Sequence, residues 1–288
     1  MAVTSIPISS RTNTRVKQLR AAFSEKSRLS EGLVAIEGYH LLEEALRSGI
    51  IPETVFLAGG QAVPPALPQS VSILRLTEEV FFSAVETRSP QGIAALITAP
   101  TYNINQIIHV TNPLILIAVG LQDPGNMGTL IRSAEAFGAA GVITTPGTVN
   151  PWNQKALRSS AGSIFRVPVI AATQKQIAAL QNQNIRLLAG VGAADPGVTA
   201  AQEVDLRKPC AILIGNEGSG LPVEWLALAS IRITIPCPGS VESLNAAVAG
   251  SLLLYEASRQ RSSPTRTNSA APLQIPNTQP RRPTGAAR

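Results

Sequence analysis

Three times along this chain an apolar, β-branched run ends in a polar loop built from glycine and short acid, amide or hydroxyl side chains. The loops are Leu121-Gln-Asp-Pro-Gly-Asn-Met-Gly, Ile214-Gly-Asn-Glu-Gly-Ser-Gly and Ile235-Pro-Cys-Pro-Gly-Ser-Val-Glu-Ser-Leu-Asn. The last is the most constrained. Two prolines and a glycine stiffen the link between a short strand (Ile231, Ile233, Thr234, Ile235) and a helix expected over residues 244–260. Ser243 and Asn245 stand at the mouth of that helix, where free N–H groups make an electropositive rim. Strands are expected over residues 114–119, 141–144, 169–170, 186–190, 211–215 and 231–235. Helices are expected over 128–137, 151–159, 174–181, 222–228 and 244–260. Alternation of this kind, with apolar strands, requires a parallel sheet covered on both faces. Such sheets hold ligands in the loops beyond the strands' carboxyl ends, so the three loops read as one site.

The residues before this block form a smaller α/β unit. Val16, Leu19 and Phe23 recur at helical spacing, with Arg15, Lys17 and Arg20 elsewhere on the same helix. Strands follow over 33–37, 54–57, 71–76 and 93–98, with helices over 40–48 and 77–85. This gives an α/β organisation of two domains, 1–105 and 113–261, with a tail, 262–288. The tail is rich in Pro, Ser, Thr, Asn and Arg, has almost no large apolar side chain, and is expected to be disordered. No internal repeat is evident.

Charge is segregated along the chain. Residues 1–31 carry six Lys/Arg against two Glu, and residues 32–112 carry three against seven. Residues 113–256 balance at nine against nine, while the tail from 257 holds six Arg and no acid. Two basic ends around a neutral body suit a polyanion such as RNA. They equally suit a chain whose ends merely solubilise it.

Several function classes drop out. No apolar run is long enough for a membrane span, and the first ten residues do not read as a signal peptide. The two cysteines and two histidines have no metal-ligand spacing, so neither a zinc site nor a disulfide framework is expected, and a reducing cytoplasm is the default. A phosphate-cradling Gly-Lys-Ser/Thr loop is absent. The loop at Gly215 spaces its glycines wrongly for a dinucleotide and carries Glu217 where a pyrophosphate would be repelled. Loops that let backbone approach closely but bring carboxylate suit a cationic or zwitterionic ligand.

The motifs Asn126-x-Gly128-x-x-x-Arg132, Gly215-Asn-Glu217-Gly-x-Gly and Ile235-Pro-x-Pro-Gly-x-x-x-Ser243-Leu-Asn245 resemble, in order, those of the SpoU-type (TrmH family) RNA ribose methyltransferases of the SPOUT superfamily. The stretch from Leu157-Arg-Ser-Ser-Ala-Gly-Ser to Val169 is similar to a further family segment. Ser10-Arg-x-Asn13, Ile36-Glu-Gly38 and Pro90-Gln-Gly-Ile93 resemble the family's substrate-binding domain, an L30e-like unit. The likeness covers residues 5–260. It implies S-adenosyl-L-methionine as cofactor, held in a trefoil knot of the parallel-sheet domain, and a homodimer with the active site near the subunit interface. The activity implied is methylation of a ribose 2′-hydroxyl in structured RNA, ribosomal in preference to transfer RNA. That preference rests on analogy with relatives that carry the extra N-terminal domain.

The resemblance makes Asn126, Arg132, Glu217, Ser243 and Asn245 the candidate catalytic group, and places Gly215, Ile235, Leu244 and Gly192 against the cofactor. Each has a plainer role beside this one. Asn126 suits the N-cap of the 128–137 helix, Ser243 suits the N-cap of the last helix, and Arg132 could pair with Glu135. Arg132 is expected to position the substrate, because a guanidinium grips phosphate well and is effectively never deprotonated; the general base stays open. Arg11, Asn13, Lys17, Arg20 and Arg158 are candidate RNA contacts, and Val248, Leu252 and Tyr255 are expected in the core. The rival readings are a non-catalytic RNA-binding or ribosome-assembly protein of the same fold, and, less well supported, a dinucleotide-dependent enzyme.

Overall fold

The structure is a computed structural model that describes residues 7–24, 32–87, 89–241 and 243–262. The tail from 263 onward, where disorder is expected, lies outside the described residues; Ser262 itself ends the last helix. The elements fall into two sheets. The first takes β1 (Leu33–Glu37), β2 (Thr54–Ala58), β3 (Ser72–Leu76) and β4 (Ile93–Thr98) in the order β1-β4-β2-β3. β4 runs antiparallel to both its neighbours, and β2 and β3 are parallel. Helices α1 (Thr14–Phe23), α2 (Tyr39–Arg47) and α3 (Glu78–Ala84) cover it.

After a short helix α4 (Asn105–Ile108), the second sheet uses β5 (Leu114–Ala118), β6 (Gly141–Thr144), β7 (Val169–Ala171), β8 (Arg186–Gly190), β9 (Val198–Ala200), β10 (Cys210–Ile214) and β11 (Ile231–Thr234). Their order is β7-β6-β5-β10-β8-β11-β9, and every pairing is parallel. Interleaved are α5 (Pro124–Ala136), α6 (Gln154–Ser160), α7 (Gln174–Ala178), α8 (Val223–Leu226) and α9 (Ala246–Ser262). The parallel sheet expected from strand–helix alternation is therefore present.

Side-chain period explains how the layers stack. Along β5, Leu114, Leu116 and Ala118 enter the core beneath α5, α6 and α9, while Ile115 and Ile117 enter the one beneath α7 and α8. The first sheet divides likewise: Ala35, Phe56, Ala94 and Leu96 meet Val16, Leu19 and Phe81, and Val34, Ile36, Val55 and Leu57 face the other way. That second face joins the core under α5 and α6, so one apolar cluster runs through both sheets. Gln154 Nε2 donates to the Ala35 carbonyl at 2.7 Å across this junction. Arg166 spans it as well, pairing with Glu44 of α2 at 2.7 Å and with Glu135 of α5.

Several boundaries differ from expectation. α5 starts at Pro124, four residues early, because Asp123 and not Asn126 is its N-cap: Asp123 Oδ1 accepts from Asn126 N at 2.8 Å, and proline suits the first turn. α9 starts at Ala246 and is capped by Asn245, whose Oδ1 accepts from Ala247 N (2.9 Å) and Val248 N (3.2 Å); Ser243 is not its cap. α6 starts at Gln154, after Asn153 at its N-cap. Strand β9 was not expected, being three half-buried residues on the sheet's edge with no apolar run. The stripe Val248, Leu252, Tyr255 is not core: these side chains are 47, 41 and 50 % exposed. α9 instead buries Ala246, Gly250, Leu253, Leu254 and Ala257, and Gly250 lets the helix lie close against Leu130 of α5. No helix among the described residues is long and apolar enough to cross a membrane.

Candidate active site

The three polar loops meet through side chains. Glu217, in the loop after β10, accepts from the backbone N–H groups of Gln122 (3.3 Å) and Asp123 (3.2 Å) and from Asn126 Nδ2 (2.9 Å). Asn126 Oδ1 in turn accepts from Asn245 Nδ2 at 3.1 Å. Asn126 is thus held as a bridge, its amide fixed in one orientation between a carboxylate and a second amide. Burial would raise the Glu217 carboxyl, but hydrogen bonds from Asn126 and from the backbone of Glu217, Gln122 and Asp123 outweigh it and hold it below the ordinary carboxyl range. Asp123 is also held low, by Lys155 Nζ at 2.6 Å and by the Asn126 N–H.

The Gly215–Gly220 loop is a tight backbone turn. Asn216 and Gly220 exchange N–H···O bonds of 3.0 and 2.9 Å, and Asn216 Nδ2 ties the turn to the Gly120 carbonyl at 3.0 Å. A Cβ on Gly215 would lie 2.3 Å from Gly220 C, so only glycine fits there. A second close approach sets the helix beside the site: a Cβ on Gly128 would stand 2.3 Å from the Ala156 carbonyl, which lets α5 lie directly on α6.

Beneath the loops lies a cleft of about 420 Å3. Gly192, Gly215, Ile235 and Leu244, singled out in sequence, all line it, as do Glu217 and Ser243. Its floor is aliphatic, from Ile214, Ile233 and Leu253, and its rim is peptide backbone from the glycine-rich segments. Asp195 and Glu217 bring carboxylate, and no Lys or Arg among the described residues lines it. This fits S-adenosylmethionine. An apolar slot suits a flat aromatic ring, bare backbone suits its polar edges, and carboxylate suits a sulfonium while disfavouring a polyphosphate. Asp195 was not singled out in sequence. It lies in a loop without a motif, and only the sheet order brings β8 beside β10.

Arg132 stands apart from this network. It is exposed on α5, and its side chain makes no hydrogen bond or ion pair with the described residues. The pairing with Glu135 does not occur, since Glu135 is taken by Arg166. Arg132 lies one turn beyond Gly128, on the side of α5 that meets α6, and α6 carries exposed Lys155 and Arg158. The N-terminal candidates are largely committed within the chain. Arg11 pairs with Glu79 at 2.7 Å, Asn13 caps α1, and Arg20 reaches the Ser83 carbonyl at 3.2 Å; Lys17 is exposed.

Comparison with known proteins agrees with this geometry. Residues 113–255 match the profile of the SpoU rRNA Methylase family, and residues 13–95 match that of the MRM3-like substrate binding domain. The chain is 32 % identical over 249 residues to the 23S rRNA (guanosine(2553)-2'-O)-methyltransferase RlmP of Bacillus subtilis, covering 86 % of this chain and 97 % of that one. A crystal structure of an RNA 2'-O ribose methyltransferase superposes with a TM-score of 0.74 at 33 % identity, covering 89 % of this chain and 99 % of that one. The AdoMet-bound rRNA methyltransferase of Sinorhizobium meliloti gives 0.79 at 28 % identity, covering 90 % and 99 %.

Proposed function

The chain belongs to the SpoU rRNA methylase family, and from that premise we propose that it transfers a methyl group from S-adenosylmethionine to a ribose 2′-hydroxyl of ribosomal RNA. The observation that carries this is the joining of Asn126, Glu217 and Asn245 at the mouth of an aliphatic cleft whose only charges, among the described residues, are carboxylates. When bound there, the cofactor supplies an electrophilic methyl on a sulfonium. Glu217, held ionised, fixes the Asn126 amide and adds negative potential on the cleft's rim. Ser243 lines the cleft, and Asn245 holds the other end of the Asn126 amide. Arg132 grips a phosphate beside the target and aligns the ribose oxygen, with Lys155 and Arg158 continuing the basic ridge along the RNA. A non-catalytic protein has no need to keep this set in register.

The unit up to residue 105 holds the RNA, through Lys17 and through Arg11, Asn13 and Arg20 once they exchange internal partners for phosphate. Residues 113–261 form the catalytic unit, and the arginine-rich tail 262–288 adds charge for RNA. The strand order β5-β10-β8-β11, with α9 returning onto α5, supports a trefoil knot around the cofactor loops. The exposed stripe Val248, Leu252, Tyr255 begins three residues past Asn245 and supports a homodimer formed beside the active site. The protein acts in the cytoplasm, with no metal. The test is direct: purified protein, labelled S-adenosylmethionine and unmodified large-subunit ribosomal RNA should give labelled RNA. No cofactor binding in calorimetry, together with unlabelled RNA, removes the proposal.

A further inference from the structure

A second cleft, of about 760 Å3, opens at the carboxyl ends of β6 and β7. Thr144 and Thr145 lie at the end of β6, Ala171 and Ala172 at the end of β7, and the 146–151 loop and the start of α7 complete the walls. Gln122 lines this cleft and bonds to a residue that lines the first. Its backbone N–H donates to Glu217 on the cofactor side, and its side-chain amide donates to the Gly147 carbonyl at 2.5 Å on the other. Among the described residues no Lys, Arg, Asp or Glu lines this second space, so they offer no charged partner to a phosphate or to a cation. It does offer unspent neutral groups. Thr145 and Thr148 are occupied with Gly120 N and with each other, and Gln176 Oε1 with the α7 cap. Thr144 Oγ1, Asn150 Nδ2 and Gln176 Nε2 make no hydrogen bond with the described residues.

We propose that this cleft receives a nucleobase of the RNA, splayed out beside the methylated nucleotide and read by the Asn150 and Gln176 amides and the Thr144 hydroxyl. This rests on the ribose-methyltransferase reading of the adjoining cleft. An uncharged pocket with two amide donors and a hydroxyl matches the carbonyl and ring-nitrogen acceptors of a base edge. RNA is read in this way, from bases taken out of the stack. The volume lies inside the range of small-ligand sites, roughly 300–1,000 Å3. Gln122 of this cleft bonds directly to Glu217 of the cofactor cleft, so nucleotides near one another in the RNA reach both without a long span of chain between them.

The test fills the cleft. Ala171 is exposed at its edge, and Ala171→Trp puts an indole into the space; Ala179→Trp, exposed on the turn after α7, serves as the bulk control. The assays use the full chain, S-adenosylmethionine and unmodified large-subunit ribosomal RNA. Ala171→Trp should raise KM for RNA at least tenfold with the Kd for S-adenosylmethionine within twofold, and Ala179→Trp should match the parent. An RNA KM within twofold of the parent in a cofactor-binding Ala171→Trp protein overturns the proposal. Should Ala171→Trp lose cofactor binding by misfolding, the near-isosteric Thr144→Val decides: a KM rise of threefold or more supports the base site, and an unchanged KM removes it. A parent protein that methylates no RNA sinks the enzyme reading itself, a different result from an active parent indifferent to Ala171→Trp.

Discussion

At the scale of single residues the site divides into groups held from within the chain and one group left facing outward. Glu217 receives three hydrogen bonds and Asn126 is oriented by two, whereas Arg132 has no partner among the described residues. A group pre-bound by the protein builds the cleft; a cation left unpaired on the same helix as Asn126 is available to the RNA. Arg132→Ala should therefore lower kcat by at least 100-fold, about 2.7 kcal/mol in the barrier, with cofactor affinity nearly unchanged. Single-turnover rates beside calorimetry check this, and retained turnover takes Arg132 out of the mechanism. Glu217→Gln should behave oppositely. It replaces an acceptor of three N–H groups by an amide that can satisfy fewer of them, so cofactor affinity should fall and the thermal midpoint drop by the equivalent of about 1–3 kcal/mol. An unaltered cofactor Kd would mean that Glu217 does not organise the cleft.

At the scale of elements the feature to test is the tie between α2 and α5. Arg166 bonds Glu135 through Nε and Nη2 and reaches with Nη1 to Glu44, which is nearly buried and also held by Arg47 at 2.7 Å. Hydrogen bonds from Arg166 are the largest influence on both carboxyls and hold each below its ordinary value of 4.5. A folded-state value below the unfolded one means stability that is complete above about pH 4.5 and is lost as pH falls through the depressed folded value. Arg166→Ala should cost about 1–3 kcal/mol at neutral pH, and the gap to the parent in denaturant midpoint should close below pH 4.5. A gap independent of pH would assign the cost to packing alone. Elements were also where the sequence misled. Asp123 caps α5 because it precedes a Pro-Gly pair that starts the helix early, and Asn245 displaces Ser243 because its amide reaches two N–H groups at once. Both positions had rival cap residues within three places, which spacing does not separate.

At the scale of the whole molecule, the parallel sheet and the convergence of the three loops were legible, because β-branched runs and motif order survive without coordinates. Strand order was not, and it is strand order that brings Asp195 into the cleft and sets Gln122 of the second cleft against Glu217 of the first. Helical periodicity in α9 identified the stripe Val248, Leu252, Tyr255 but could not say whether it faces a core or a partner. Its exposure, with Tyr255 edge-on to Phe137 at 5.7 Å, leaves an apolar face that a second copy would cover. Leu252→Glu should convert a dimer to a monomer in sedimentation at micromolar concentration; a parent that is already monomeric would remove the dimer from the account. The central claim, transfer to a ribose oxygen, has one direct measurement. Ribosomal RNA labelled by the protein from methyl-labelled S-adenosylmethionine is hydrolysed in alkali, which cannot cut beside a blocked 2′-hydroxyl. Transfer to a ribose oxygen leaves the label in a single alkali-resistant dinucleotide. Label recovered on ordinary mononucleotides would place the methyl on a base and contradict it.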